Sequence, residues 1–165
     1  VLSVATIAQR ANDRGAGLSN EKIVAELSDV AKESDPLLRS AAAFTLGQFP
    51  LSAVQQPLSV LLVDSESNTR VNAAIAFARH KSLDGVPVLR DVLTAAAATK
   101  SAPPDGDAAP IAASNAMKAV GELAGLLDQT TRAEFVRDLE IISNGYPVPR
   151  VRLDAAQALA KLRGR

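Results

Sequence analysis

The stretch Asp35-Pro36-Leu37-Leu38-Arg39-Ser40-Ala41-Ala42-Ala43-Phe44-Thr45-Leu46-Gly47 decides the fold, because the chain contains it more than once. Near the C-terminus it returns as Val148-Pro149-Arg150-Val151-Arg152, followed by Ala155-Ala156 and Leu159-Ala160. A looser copy carries Arg70, Ala73-Ala74 and Phe77-Ala78, and another reads Ala109-Pro110-Ile111, Ala116-Met117 and Val120-Gly121. Internal repetition of this length is the mark of a stacked-repeat architecture.

A single offset aligns more than the quoted phrase. Superimposing Asp35 on Glu66 shifts the chain by 31 positions and lays Arg39 on Arg70, Ala42 on Ala73 and Leu46 on Phe77. The same shift lays Leu58 on Leu89, Leu61 on Val92 and Leu62 on Leu93. Run backwards it lays Val54 on Ile23, Leu58 on Leu27 and Leu61 on Val30. Each repeat therefore has two halves, and both halves follow the offset.

Each half has a helical period. Leu38, Ala42 and Leu46 recur every fourth residue and make one apolar stripe; Val54, Leu58, Leu61 and Leu62 make a second. Pro36, Pro50, Pro110 and Pro149 suit the first turn of a helix, where a missing N–H costs little, and Asp35 suits the N-cap before Pro36. Gly47 with Pro50 behind it marks a helix end. The spacing predicts helices over Leu2–Asn12, Glu21–Glu33, Pro36–Gln48, Leu51–Val63, Thr69–Lys81, Val86–Thr99, Ile111–Leu127, Arg132–Ser143 and Pro149–Arg163. No segment alternates as a strand does. Thr99–Ala109, rich in small residues with Pro103-Pro104 and Gly106, interrupts the period and reads as a flexible insertion.

Composition narrows the possibilities. The 165 residues carry zero formal net charge, no cysteine, no tryptophan and one histidine. Charge balance and scarce aromatics weigh against nucleic acid as a partner, which calls for a basic face and stacking side chains. Disulfides and thiolate metal sites are impossible, and His80 followed by Lys81 cannot form a histidine-rich metal centre alone. At a helix C-terminus a charged His80 would instead favour the dipole. No apolar run is long enough to span a bilayer. Neither a glycine-rich phosphate loop nor a Gly-x-Ser-x-Gly elbow occurs. Catalytic residues, metals and cofactors are accordingly not expected, and the compartment stays open.

The phrase Asp-Pro-x-x-Arg-x-x-Ala-Ala-x-x-Leu-Gly resembles HEAT repeats, and more closely their short phycobilin-lyase (PBS lyase) HEAT-like variety. It is clearest at Asp35–Leu62 and Pro149–Leu162, and it departs from the pattern at Ala113, where the arginine is missing. The resemblance implies an all-α fold, an α-α superhelix in which helical hairpins stack as a right-handed solenoid. Its second helices would line a concave, protein-binding face. The expected organisation is one domain over 1–165, with units near 1–33, 35–63, 66–99 and 109–143, a final helix at 148–163 and the insertion at 99–109. The resemblance also implies that Asp35, Arg39, Arg70 and Arg152 tie neighbouring units together as a structural ladder.

On that geometry the exposed candidates for partner binding are Gln55, Gln56 and Ser59 on one second helix, Arg90, Asp91 and Thr94 on the next, and Arg137 on a later one. The expected role is a non-catalytic protein-interaction or scaffold module with a protein partner. An accessory subunit of a chromophore-lyase enzyme and a structural spacer are the alternatives. The chain opens on Val1, and neither end has a strongly polar cap. It is therefore expected to be a segment of a longer protein, or to associate end to end with another copy.

Overall fold

The computed structural model describes residues 21–104 and 106–164, together with Val4, Thr6, Ile7 and Arg10. The helix expected at Leu2–Asn12 lies, apart from those four residues, outside the described residues, as does Asp105 of the insertion. Among the described residues there are eight bounded helices and no strand. They are α1 (Glu21–Val30), α2 (Pro36–Leu46), α3 (Leu51–Leu61), α4 (Ser67–Arg79), α5 (Val86–Ala98), α6 (Ala109–Leu123), α7 (Gln129–Gly145) and α8 (Pro149–Leu162). The fold is all-α, of the α-α solenoid type.

Local chemistry sets the helix bounds. Asp35 caps α2 by accepting from the Leu37 N–H at 2.8 Å, and Pro36 occupies the first turn. Glu66 has the extended backbone of an N-cap, so α4 starts at Ser67, two residues before the Thr69 expected from periodicity. Asp128 accepts from both the N–H and the hydroxyl of Thr131, so α7 starts at Gln129 rather than Arg132. In the other direction, α6 stops at Leu123, and a tight turn from Leu126 N–H to Leu123 C=O ends it before the expected Leu127. Apolar periodicity marks where a helix packs, and capping carboxylates mark where it begins.

The chain divides into two compact units, residues 1–85 and 86–165. The boundary falls between α4 and α5, inside the repeat expected at 66–99. In the first unit α2 packs on α4 and α1 on α3, with the α2–α3 hairpin joining the layers. Its core is Leu27, Leu46, Phe49, Val54, Leu58, Leu61 and Phe77, with Ala42, Ala43, Ala73 and Ala76 between the first-layer helices. In the second unit α6 packs on α8 and α5 on α7. Leu89, Leu93, Met117, Val120, Phe135, Leu139, Ile142 and Val151 are buried there.

Gly85 is required by close approach to backbone. A Cβ added at Gly85 would lie 2.7 Å from both the Cα and the carbonyl oxygen of Ala74, which are backbone atoms and cannot rotate away. Gly125, by contrast, faces open space. Gly85→Ala should therefore destabilise the protein by about 1–3 kcal/mol, the usual cost of overpacking. Gly125→Ala should stay within about 0.5 kcal/mol. Equal denaturation midpoints for the two variants would contradict this packing.

Candidate partner-binding surface

The repeated arginines are internal fasteners. Arg39 donates through NH1 to the Glu33 and Ser34 carbonyls at 3.0 and 2.9 Å, across the turn leading into its own helix. Arg70 does the same with the carbonyls of Asp64 and Ser65, at 2.7 and 3.0 Å. Arg152 repeats it with Tyr146 and Pro147, at 2.7 and 3.3 Å. Three arginines from one sequence position thus hold the five- or six-residue bend before their helix.

Arg39 also reaches the junction that leads into the next repeat. Its Nε and NH2 form a bidentate pair with Asp64, at 2.7 and 2.9 Å. Both side chains are largely shielded, 14 % and 10 % exposed. The Asp64 carboxylate accepts as well from the Glu66 N–H at 2.8 Å. The Arg39 guanidinium bond, then that backbone bond, hold its pKa below the ordinary carboxylate value, against the opposing effect of burial. Asp35, which the sequence pattern places beside Arg39, caps its own helix instead. Asp64 had no motif to reveal it, because it stands two residues before the repeat's capping position.

The polar side chains of α5 and α7 form two rungs in the second unit. Arg90 of α5 and Glu134 of α7 approach to 3.1 Å, both side chains partly exposed. One turn further along, Thr94 donates its hydroxyl to Asp138 at 2.8 Å, and Arg137 donates to the other Asp138 oxygen at 3.1 Å. Asp138 is buried, so these bonds meet the need of a carboxylate removed from water. Within that rung Arg90 Nε and Glu134 Oε2 are enclosed and lack a hydrogen-bond partner, so the ion pair is a charge approach without hydrogen-bond geometry. Thr94, Arg90 and Arg137 were legible as exposed helix positions. Glu134 and Asp138 were not, since pairing across helices has no signature in sequence. Asp91 is exposed beside the rungs.

Gln55, Gln56 and Ser59 lie exposed on α3 of the first unit. Ser59 turns its hydroxyl onto the Gln55 carbonyl of its own helix at 2.8 Å. Gln56 borders a small cavity of about 70 Å3 between α1 and α3, with Ser28, Lys32 and Pro57.

Tyr146 is buried at the C-cap of α7, where the chain turns toward α8, and burial raises the pKa of its phenol. One expectation needs correction. His80 does end α4, but it is not a cation serving the helix dipole. Burial lowers its pKa below the ordinary 6.5, helped by the charge on Arg79 and opposed by hydrogen bonding to the backbone of Gly47 and Phe49. Its Nε2 is enclosed without a partner. Of the C-terminal basic residues, Arg150 pairs with Asp154, Arg163 with Glu140, and Arg152 with backbone. No group of three or more potential metal ligands occurs among the described residues. No helix there is long and apolar enough to cross a membrane.

Residues 21–102 match the family model described as HEAT repeats, so this stretch is similar to HEAT repeats. No curated protein matches the chain. The match covers α1 to α5 and so includes Arg39, Asp64, Arg70, Arg90 and Thr94.

Two pH effects of opposite origin follow. As pH falls, the unfolded chain takes up His80's proton first, because the native pKa is the lower one. Stability should hold above about pH 6.5 and decline as pH falls from there through the lowered native pKa. As the chain has a single histidine, His80→Gln should flatten the thermal midpoint across that window. An unchanged slope in the variant would refute the assignment. The Asp64 contribution is present above the ordinary value of 3.8 and is lost as pH falls through its depressed native pKa. Asp64→Asn should be clearly less stable than the parent at pH 7, and the difference should shrink as pH falls below 3.8. The pairing also requires that Arg39→Ala and Asp64→Ala combine non-additively in a double-mutant cycle.

Proposed function

We propose that this chain is a non-catalytic protein-interaction module whose recognition face in the second unit is the α5–α7 surface around Arg90 and Glu134. HEAT repeats generally serve as protein-interaction scaffolds, which supports the general reading. The observation that carries the specific one is the Arg90–Glu134 ion pair, whose two side chains are partly exposed on packed helices. Their accessible parts can meet oppositely charged groups of a partner in charge-assisted hydrogen bonds. Asp138, with its bonds filled by Thr94 and Arg137, fixes the register of the rung without being consumed by it.

Two cavities bear on the chromophore-lyase alternative: the one between α1 and α3, at about 70 Å3, is far below the roughly 300–1,000 Å3 of small-molecule sites, and the groove between α6 and α8, at about 340 Å3, is at the bottom of that range. A shallow polar surface on the second-layer helices suits a protein partner better than a pigment.

The test is affinity capture with the native chain beside an Arg90→Ala/Glu134→Ala variant and a Gln55→Ala/Gln56→Ala variant, all matched for thermal midpoint. A defined protein retained by the native chain and reduced at least about tenfold by the Arg90/Glu134 variant is the expected result. Retention unchanged by that variant would place the interface elsewhere. A captured pigment would favour the lyase reading, and no captured protein would favour a structural spacer.

A further inference from the structure

The internal repeat places one pair of exposed positions in two chemical versions. Pro36 corresponds to Pro110 and Arg70 to Arg152, so Phe44 corresponds to Lys118 and Arg79 to Lys161. Each pair is divided between the first-layer helices that pack together in its unit, α2 with α4 and α6 with α8. In the first unit the pair is complementary: the Arg79 guanidinium lies over the Phe44 ring, 5.3 Å from its centre. In the second unit both members are cations. Lys161 runs across Gly121 of α6, where an added Cβ would stand 2.9 Å from its Cδ and 3.7 Å from its Nζ. Lys118 is one turn earlier on α6 and lines the groove between α6 and α8.

The ring that receives a cation in one unit is thus replaced by a second cation in the other. Neither lysine pairs with a carboxylate among the described residues. Glu122, a turn beyond Lys118, is engaged elsewhere. Asp154 is enclosed in the groove wall and faces Arg150 at 3.3 Å, so its charge is already matched. Like charges held on neighbouring helices repel, and an anion placed between them removes that cost.

We propose that Lys118 and Lys161, with the α6–α8 groove beside them, bind an acidic peptide segment at a site separate from the α5–α7 surface. A carboxylate of the peptide meets the two lysines, and a neighbouring aliphatic side chain enters the groove. The carboxylate follows from charge, since two cations without a counter-charge are complementary to an anion. The aliphatic neighbour follows from Ile111, Val148 and Val151 in the groove walls, with Ile111 66 % exposed at the rim. Ser114 and Asn115 of the same walls supply a hydroxyl and an amide for the peptide's backbone. At about 340 Å3 the groove has room for a residue or two of a partner's chain.

The probe is N-acetyl-Leu-Glu-Glu-amide, titrated into the 15N-labelled chain and followed by NMR. Its neutral counterpart N-acetyl-Leu-Gln-Gln-amide and inorganic phosphate run alongside. Saturable shifts at Ile111, Lys118 and Val151 are expected for the acidic peptide, and added salt should weaken them. The neutral peptide should bind about fivefold less tightly, the worth of two modest exposed ion pairs. Lys118→Gln/Lys161→Gln should weaken the acidic peptide by the same factor and leave the thermal midpoint no lower, since it removes a like-charge approach. Lys118→Phe/Lys161→Arg installs the pair seen at Phe44 and Arg79, and it should weaken the acidic peptide likewise. The proposal is overturned by any of five results: no saturable shift in the groove, equal affinity for the acidic and neutral peptides, phosphate binding as tightly as the acidic peptide, equal affinity in both double variants, or a lower midpoint in the glutamine variant, which would make the lysines part of the fold's support.

Discussion

The close approach of alanine-faced helices is the constraint on which the rest of the structure depends. Ala42 and Ala43 on α2 meet the face of α4 that carries Ala73 and Ala76, and all four are buried. On α6 and α8 the corresponding faces carry Ala113, Ala116, Ala155 and Ala158. Small side chains let two helices lie near each other, and bulkier ones would push them apart. Alanine buries little apolar area, so large residues such as Leu46, Phe49, Leu58 and Phe77 supply the bulk of the core. Close spacing also puts one helix's polar side chains within reach of the next, as Asn72 and Ser40 show. Gly47 belongs to the same constraint, since a Cβ there would stand 2.7 Å from that of Ala76.

The fold was legible because periodicity and repetition agree. Leu38, Ala42 and Leu46 marked a helix, and the offset of 31 residues carried that reading along the chain. Helix ends were less legible, as they turn on single side-chain bonds such as Asp128 with Thr131. The arginine positions could be read, but not what they hold: three of them grip backbone carbonyls, which every residue has and no motif announces.

The candidate surface was only half visible. Exposure of Arg90, Thr94 and Arg137 followed from helical phase. The partners Glu134 and Asp138 lie about 44 residues away in sequence from the α5 positions they face, and only packing joins them. His80 shows the reverse error. Its place at a helix end was right, but its charge state depended on enclosure, which sequence does not display.

Arg39 has a consequence for how the repeats come to order. Its bonds to Glu33 and Ser34 span five or six residues, whereas its bond to Asp64 spans 25. Short closures cost less chain entropy than long ones. One side chain therefore closes the turn that precedes its own helix and also reaches the junction from which the next repeat sets out. Contacts at such junctions are where neighbouring units of a repeat array couple. A guanidinium with both kinds of bond fastens its hairpin at its entry and at its exit.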